Sequence, residues 1–249
     1  MPAILARLVL PLFLLSSAAL LAGCATAPLP NYAAIVAAPD RSDADRKNDH
    51  RRNPVELFAF TGARPGMKVL DLGAGGGYST ELLARIVAPN GTVYSQTPPN
   101  LFANAVKAYA ARASSPAMKN AVRIERPFDD PLPKGVAGFD LITFFFFYHD
   151  TVWLDVDRAR MNRALYDALK PGGILVLADH SARPGDGANV TKSLHRIEES
   201  AVRRELEAAG FQFVSVGNFL RNPADARDTH VNKNSVPNDE FVLKFRKPK

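Results

Sequence analysis

From Val55 onward, short apolar runs alternate with stretches in which apolar residues recur every three or four positions. Lys68-Val69-Leu70-Asp71-Leu72 follows the turn signal Arg64-Pro65-Gly66 and predicts a short strand. Over Tyr78 to Val87, Leu82, Leu83 and Ile86 fall on one face of a helix. Asn90-Gly91 is a turn before a strand at Thr92 to Ser95. A helix over Asn100 to Ala113 and a strand over Ala121 to Glu125 follow. Phe139 to Tyr148 is apolar on both faces, as a central parallel strand requires. A helix from Val156 to Leu169 stops at Lys170-Pro171-Gly172-Gly173, before a strand at Ile174 to Ala178. Ser193 to Ala209 reads as one helix ending at Gly210, with final strands at Phe211 to Val216 and Phe241 to Phe245.

This alternation implies an α/β fold with a mostly parallel sheet covered on both faces. Ligands in such sheets bind beyond the carboxyl ends of the strands, near the point where strand order reverses. Chemistry is therefore expected at 71–77, 95–98, 126–130, 148–150 and 179–183. The segment 217–232 joins that rim if the last two strands form an antiparallel hairpin.

The pattern fails at the N-terminus, where no residue from Leu8 to Pro39 is charged. Arg7, an apolar stretch from Leu8 to Ala22 and small residues before Cys24 have the order of a secretory signal. The apolar core is short for a membrane span and contains Pro11. Leu21-Ala22-Gly23-Cys24 resembles the lipobox of bacterial lipoproteins, which implies lipidation of Cys24, the single cysteine. Ala25 after it resembles outer-membrane sorting. An uncleaved anchor with an incidental cysteine is the other reading. The expected organisation is a signal peptide at 1–23, an Ala/Pro-rich tether at 24–40 and one domain at 41–249. It would lie in the cell envelope, held to the membrane by lipid and facing the periplasm.

Composition narrows the classes. With 249 residues, 47% hydrophobic and 22% charged, the chain is neither disordered, collagenous nor multi-spanning. Its formal charge of +6 falls to +5 once Arg7 leaves with the signal. Acids are interspersed with the bases, so no nucleic-acid footprint is visible. No protein partner can be inferred.

After the first strand comes Gly73-Ala74-Gly75-Gly76-Gly77. Glycine allows positive φ and close backbone approach, and the helix beyond offers free N–H groups. Asp71-x-Gly73-x-Gly75-x-Gly77 resembles the first motif of class I S-adenosylmethionine-dependent methyltransferases. Phe139-Asp140-Leu141-Ile142 and Ala168-Leu169-Lys170-Pro171-Gly172-Gly173-Ile174-Leu175-Val176 are similar to the family's fourth strand and the approach to its fifth. Tyr148-His149-Asp150-Thr151-Val152-Trp153 with Asp179-His180-Ser181-Ala182 resembles a group of predicted secreted and lipoprotein methyltransferases.

The resemblance covers most of 54–247. It implies a Rossmann-like, doubly wound, seven-stranded sheet with one antiparallel strand and S-adenosylmethionine as cofactor. By that resemblance Gly73, Gly75 and Gly77 line the cofactor's methionine and ribose portions, Asp71 holds the loop, and Asp129 or Asp130 contacts the adenine. The family's second strand usually ends in an acid that binds the ribose hydroxyls. Here Gln96 stands there, a weaker acceptor than an ionised carboxylate.

Of five histidines, His149, His180 and His230 fall on the rim and His50 lies ahead of the first strand. His149 is the candidate base that deprotonates the methyl acceptor, since a base titrating near the working pH adds to catalysis. Asp150 and His180 complete the candidate catalytic set. Asp150, Asp179 and His180 could alternatively hold a divalent cation. Phe144 to Phe147 reads as core, whereas Tyr148 and Trp153 are candidate pocket residues. Arg41 to Arg52 reads as a solvated helix or a lid. Arg227, Asp228 and His230 suggest a substrate-selecting loop. The expected activity is in-line methyl transfer to a small molecule, with a non-catalytic envelope protein binding another small ligand as the rival.

Overall fold

The computed structural model describes residues 29–99 and 103–249. The expected signal peptide and Cys24 lie outside the described residues. Three helices come first: α1 (Tyr32–Val36), α2 (Asp43–Arg52) and α3 (Pro54–Thr61). There follow β1 (Lys68–Leu72), α4 (Tyr78–Val87), β2 (Thr92–Thr97), α5 (Ala103–Ala113) and β3 (Ala121–Glu125). The second half holds β4 (Phe139–Phe145), α6 (Tyr148–Trp153), α7 (Arg158–Ala168), β5 (Leu169–His180), α8 (Thr191–Leu194), α9 (Glu199–Ala208), β6 (Gln212–Gly217) and β7 (Glu240–Arg246).

The strands form one sheet in the order β3-β2-β1-β4-β5-β7-β6, and only β7 runs antiparallel. The expected seven-stranded, doubly wound architecture is thus present. Strand order reverses between β1 and β4, so the loops after these two strands flank the crevice. The β6–β7 pair is antiparallel, which brings 218–239 to the same rim.

Alternation along each strand builds two cores. Leu70 and Leu72 of β1 join Ile142 and Phe144 of β4 against α7 and α9. Val69 and Leu141 face the other way, toward Leu82, Leu83 and Ile86 of α4 and Leu57 and Phe58 of α3. Asp71 shares that second face and is buried, and it accepts hydrogen bonds from Ser79, Thr80 and Thr143 hydroxyls. Burial pushes its pKa up and the three hydroxyls pull against that rise.

Three sequence expectations change. Residues 32–36, placed in the tether, form α1, because Tyr32 enters the core and donates its hydroxyl to the Ala63 carbonyl at 2.7 Å. Arg41 to Arg52 is not a merely solvated helix. Arg41 and Asp45 are buried; Arg41 pairs with Asp49 at 2.7 Å and Asp45 with Arg112 at 2.6 Å. Asp49 also accepts from the Tyr78 hydroxyl, which ties α2 to the start of α4. Finally, the helix expected over 193–209 is broken. His195 takes φ 54°, and residues 195–198 turn aside so that Ile197 pairs with Ser181 beside β5. Arg196, wholly buried, is held there by Asp225 at 2.8 Å.

Candidate active site

Gly73, Ala74, Gly75 and Gly76 wall a cavity of about 230 Å³, completed by Arg52, Tyr78, Ser79, Thr97, Pro98, Phe128 and Phe145 to Phe147. The three motif glycines have φ of 66°, 53° and 82°, which a side chain rarely adopts. Their surroundings differ. A Cβ on Gly77 would come within 2.9 Å of the Tyr109 ring, and one on Gly73 within 3.2 Å of Phe144. A Cβ on Gly75 would meet nothing nearer than 3.9 Å. Gly73 and Gly77 are thus required by packing, while Gly75 borders open space where a ligand can approach the backbone.

Gln96 is not at the cavity wall. Its side-chain oxygen accepts from the Gly73 N–H at 3.1 Å, and its amide donates to the Arg126 carbonyl at 2.6 Å. Both ends of this buried amide brace the loop, and Thr97 and Pro98, rather than the expected Gln96, line the cavity. The expectations for the two acids separate in the same way. Asp130 pairs with Arg126, whereas Asp129 lines an adjoining hollow of about 290 Å³ that shares Pro98 and Phe128 with the first cavity.

Arg52 closes the charged run expected as a solvated helix or a lid, and nothing in that run singles it out as a site residue. Its Nε is buried without a hydrogen-bond partner, and its guanidinium lies 4.9 Å from the Tyr78 and Phe146 ring centres. Burial, with the neighbouring Arg51, pulls its pKa down to about 10, which leaves it charged at neutral pH. Among the described residues no acid is hydrogen-bonded to this cation at the cavity wall.

The aromatic run serves two purposes. Phe144 is core as expected, but Phe145, Phe146 and Phe147 also line the cavity. Phe146 has φ 58°, unusual for a bulky residue and of the kind found at functional sites. Tyr148, expected at the pocket, is wholly buried instead, with its hydroxyl donated to Glu205 at 2.7 Å.

Beyond Phe146 lies a second centre. The His180 ring packs 5.5 Å from Phe146, and His149 lies 5.6 Å from His180. His149 is buried, with Nδ1 2.7 Å from Asp179 Oδ1 and Nε2 3.1 Å from Asp150 Oδ1. Asp179 also accepts from the backbone N–H groups of His149 and His180, each at 2.8 Å. Burial disfavours charge on His149, but Asp179 and Asp150 outweigh it and push its pKa up to about 10. Burial also works to raise the Asp150 carboxyl, and the His149 contact holds it below its ordinary value.

The structure sets His149, the expected base, between two carboxylates, one at each ring nitrogen, rather than in the glycine-loop cavity. His180 turns toward Glu240, 3.0 Å away at an angle too poor for a hydrogen bond. His195 joins this centre unforeseen: its Nδ1 is 3.2 Å from His149 Nε2. Its signal was hidden by helical periodicity over 193–209, which gave no hint of the break. Trp153 borders the group, donating its Nε1–H to Asp150 at 2.8 Å. The His230 ring packs tilted against His195 with centres 4.7 Å apart, while Arg227 and Asp228 pair with Asp239 and Arg183.

Residues 63–210 match a family described as a methyltransferase domain. Protein-L-isoaspartate O-methyltransferase 1 of Arabidopsis thaliana is 34% identical over 115 residues, covering 46% of each chain. The ubiquinone/menaquinone biosynthesis C-methyltransferase UbiE of Shewanella sp. (strain W3-18-1) is 30% identical over 131 residues, 53% of this chain and 48% of that protein. The chain thus spans about half the length of these relatives. Among solved structures, a SAM dependent methyltransferase from Aquifex aeolicus superposes with a TM-score of 0.60 at 18% identity, covering 83% of this chain and 99% of that one. The [4+2]-cyclase SpnF has the same fold, with a TM-score of 0.59 at 20% identity over 82% of this chain and 81% of its own. A family match over more than half of the chain, on the sheet order and glycine loop described above, places this protein in the methyltransferase-domain family, whose cofactor is S-adenosylmethionine.

Proposed function

We propose that the protein transfers the methyl group of S-adenosylmethionine to a small-molecule acceptor. The observation that carries this reading is Arg52, an arginine with a buried, unpartnered Nε, lining the same cavity as Gly75. S-adenosylmethionine has one carboxylate, the partner that Arg52 lacks, and when bound it supplies an electrophilic methyl group. Gly75 admits it to the backbone, and Asp71 fixes the helix end by holding Ser79 and Thr80. Phe128 and Phe145 to Phe147 keep water from the cavity, and the hollow bordered by Asp129 extends the space for an adenine.

Among the described residues that line the cavity there is no imidazole or carboxylate. Most of the rate enhancement is assigned to alignment of acceptor and methyl donor, which suits an in-line displacement. The neighbouring cavity of about 570 Å³, lined by His50, Arg51, Phe219 and Glu240 among others, is of a size for a small acceptor. The proposal keeps the envelope location: an anchor on Cys24, periplasm-facing, supported by the sequence order of the first 24 residues. Among the described residues no helix is long and apolar enough to cross a membrane.

Calorimetry with S-adenosylmethionine and S-adenosylhomocysteine tests the reading. Micromolar binding that weakens in Arg52→Gln is expected, and no heat at millimolar ligand would sink it. Because a [4+2]-cyclase has this fold, methyl transfer must be read separately, as label passed from the methyl-labelled cofactor to an extracted metabolite pool. Fatty-acid labelling that is lost in Cys24→Ser checks the anchor.

A further inference from the structure

The second centre lies outside the methyl-transfer machinery and does not depend on it. Three potential ligand atoms meet there: His149 Nε2, His195 Nδ1 and Asp150 Oδ1. The two nitrogens are 3.2 Å apart, and each is 3.1 Å from the carboxylate oxygen. We propose that His149, Asp150 and His195 form a binding site for a divalent first-row transition metal, zinc or iron(II) in class, with coordination positions left open toward solvent.

The triangle has the dimensions of one face of a metal's coordination shell. Bonds of about 2.0–2.1 Å to all three atoms put an ion about 1 Å above their plane, with ligand–metal–ligand angles of about 100°, between the octahedral and tetrahedral values. Two imidazoles and one carboxylate select zinc, iron(II) or cobalt over magnesium and calcium, which prefer all-oxygen shells.

The surroundings are those of a metal site rather than of a chance cluster. Asp179, fully buried and held by two backbone N–H groups, fixes the His149 ring through Nδ1, so Nε2 is the atom offered. Such a carboxylate behind a ligating histidine orients the ring and raises its basicity. Trp153 donates its Nε1–H to the same oxygen, Asp150 Oδ1, at 2.8 Å and so fixes the carboxylate's position. His195 is carried in at positive φ by the break between α8 and α9, and its side chain is 30% exposed while that of His149 is 3% exposed. The site is therefore closed on the protein side and open past His195, where His230 and Trp153 flank it. This ligand set replaces the one suggested by sequence. Asp179 stands behind a ligand rather than being one, and His180 faces Glu240.

The full chain, purified without a polyhistidine tag and stripped with chelator, should take up one equivalent of zinc or cobalt(II). Cobalt should produce visible absorption bands of a nitrogen- and oxygen-ligated ion. His195→Asn, which tolerates the positive φ, should lower zinc affinity at least a hundredfold, and Asp179→Asn tenfold to a hundredfold. Circular dichroism confirms that each variant is folded, and His195→Asn at the partly exposed ligand covers the case in which the buried Asp179→Asn fails to fold. Glu125→Gln, exposed on the edge strand β3 at the other end of the sheet order, should leave zinc uptake unchanged. The proposal is overturned if less than a tenth of an equivalent binds, if His195→Asn binds as well as the parent, or if magnesium binds in preference to zinc. S-adenosylhomocysteine binding in the same variants reports the methyltransferase reading independently.

Discussion

The glycine-loop cavity and the histidine–carboxylate centre stand at the ends of adjoining strands, yet they are built in opposite ways. The first is largely a product of consecutive residues, 73–79, whose backbone forms the wall. The second draws on 149–150, 179–180 and 195, and nearly every part of it is a side chain. A backbone site needs small residues and permissive φ, so it leaves a compact signature. A side-chain site needs only that distant positions meet, so its members can look ordinary one by one. Phe146 lies between the two, with its ring against Arg51 and Arg52 on one side and His180 on the other.

The difference can be broken from either side. The largest effect is expected for Asp179→Asn. Removing one partner from a buried ion pair leaves an uncompensated charge and costs about 3–5 kcal/mol of folding stability. Chemical denaturation should show that loss while S-adenosylhomocysteine affinity per folded molecule stays unchanged. Gly75→Arg should do the reverse. It fills the open side of the loop and should weaken cofactor binding at least about a hundredfold, which is roughly 2.7 kcal/mol. Its stability cost should be only about 1–2 kcal/mol from side-chain strain at positive φ. A Gly75→Arg variant that binds normally would remove the cavity from consideration.

Arg52→Gln should have a smaller and two-signed effect. Cofactor affinity should fall about tenfold to a hundredfold, since a charged hydrogen bond to a carboxylate contributes about 1.5–3 kcal/mol. The unliganded protein should be no less stable, because the change relieves an unpartnered buried atom. Thermal shift with and without ligand reads both signs.

The smallest effect concerns the tie between α2 and α4. Burial works to raise the Asp49 carboxyl, but Arg41 and the Tyr78 hydroxyl hold it below its ordinary value. A depressed carboxylate contributes stability above its unfolded pKa, about 3.8, and loses it as pH falls through the lower folded value. Asp49→Asn should therefore melt a few degrees lower than the parent at pH 7. The two melting curves should converge as pH is lowered from 4 toward 2. A gap that persists at pH 2 would show that hydrogen-bond geometry, not charge, makes the tie.

Much of the fold is determined by the sequence alone. Period-two and period-3.6 patterning fixed the strands at Lys68–Leu72 and Ala121–Glu125 and the helix at Tyr78–Val87, all of which occur in the structure with those bounds. The glycines were legible because positive φ and close approach admit few other residues. Tertiary structure decided the rest. His195 became part of a site only because a bridge between Ser181 and Ile197 and the buried Arg196–Asp225 pair outweigh continuation of a helix. Gln96 turned from a ligand candidate into a brace because the loop's own N–H group claimed its oxygen. Arg52 acquired meaning only when its neighbours proved to supply no bonded acid. Local pattern sets what a segment can form, since backbone geometry acts over a few residues. Which polar atoms are left wanting a partner is settled by contacts between residues dozens of positions apart.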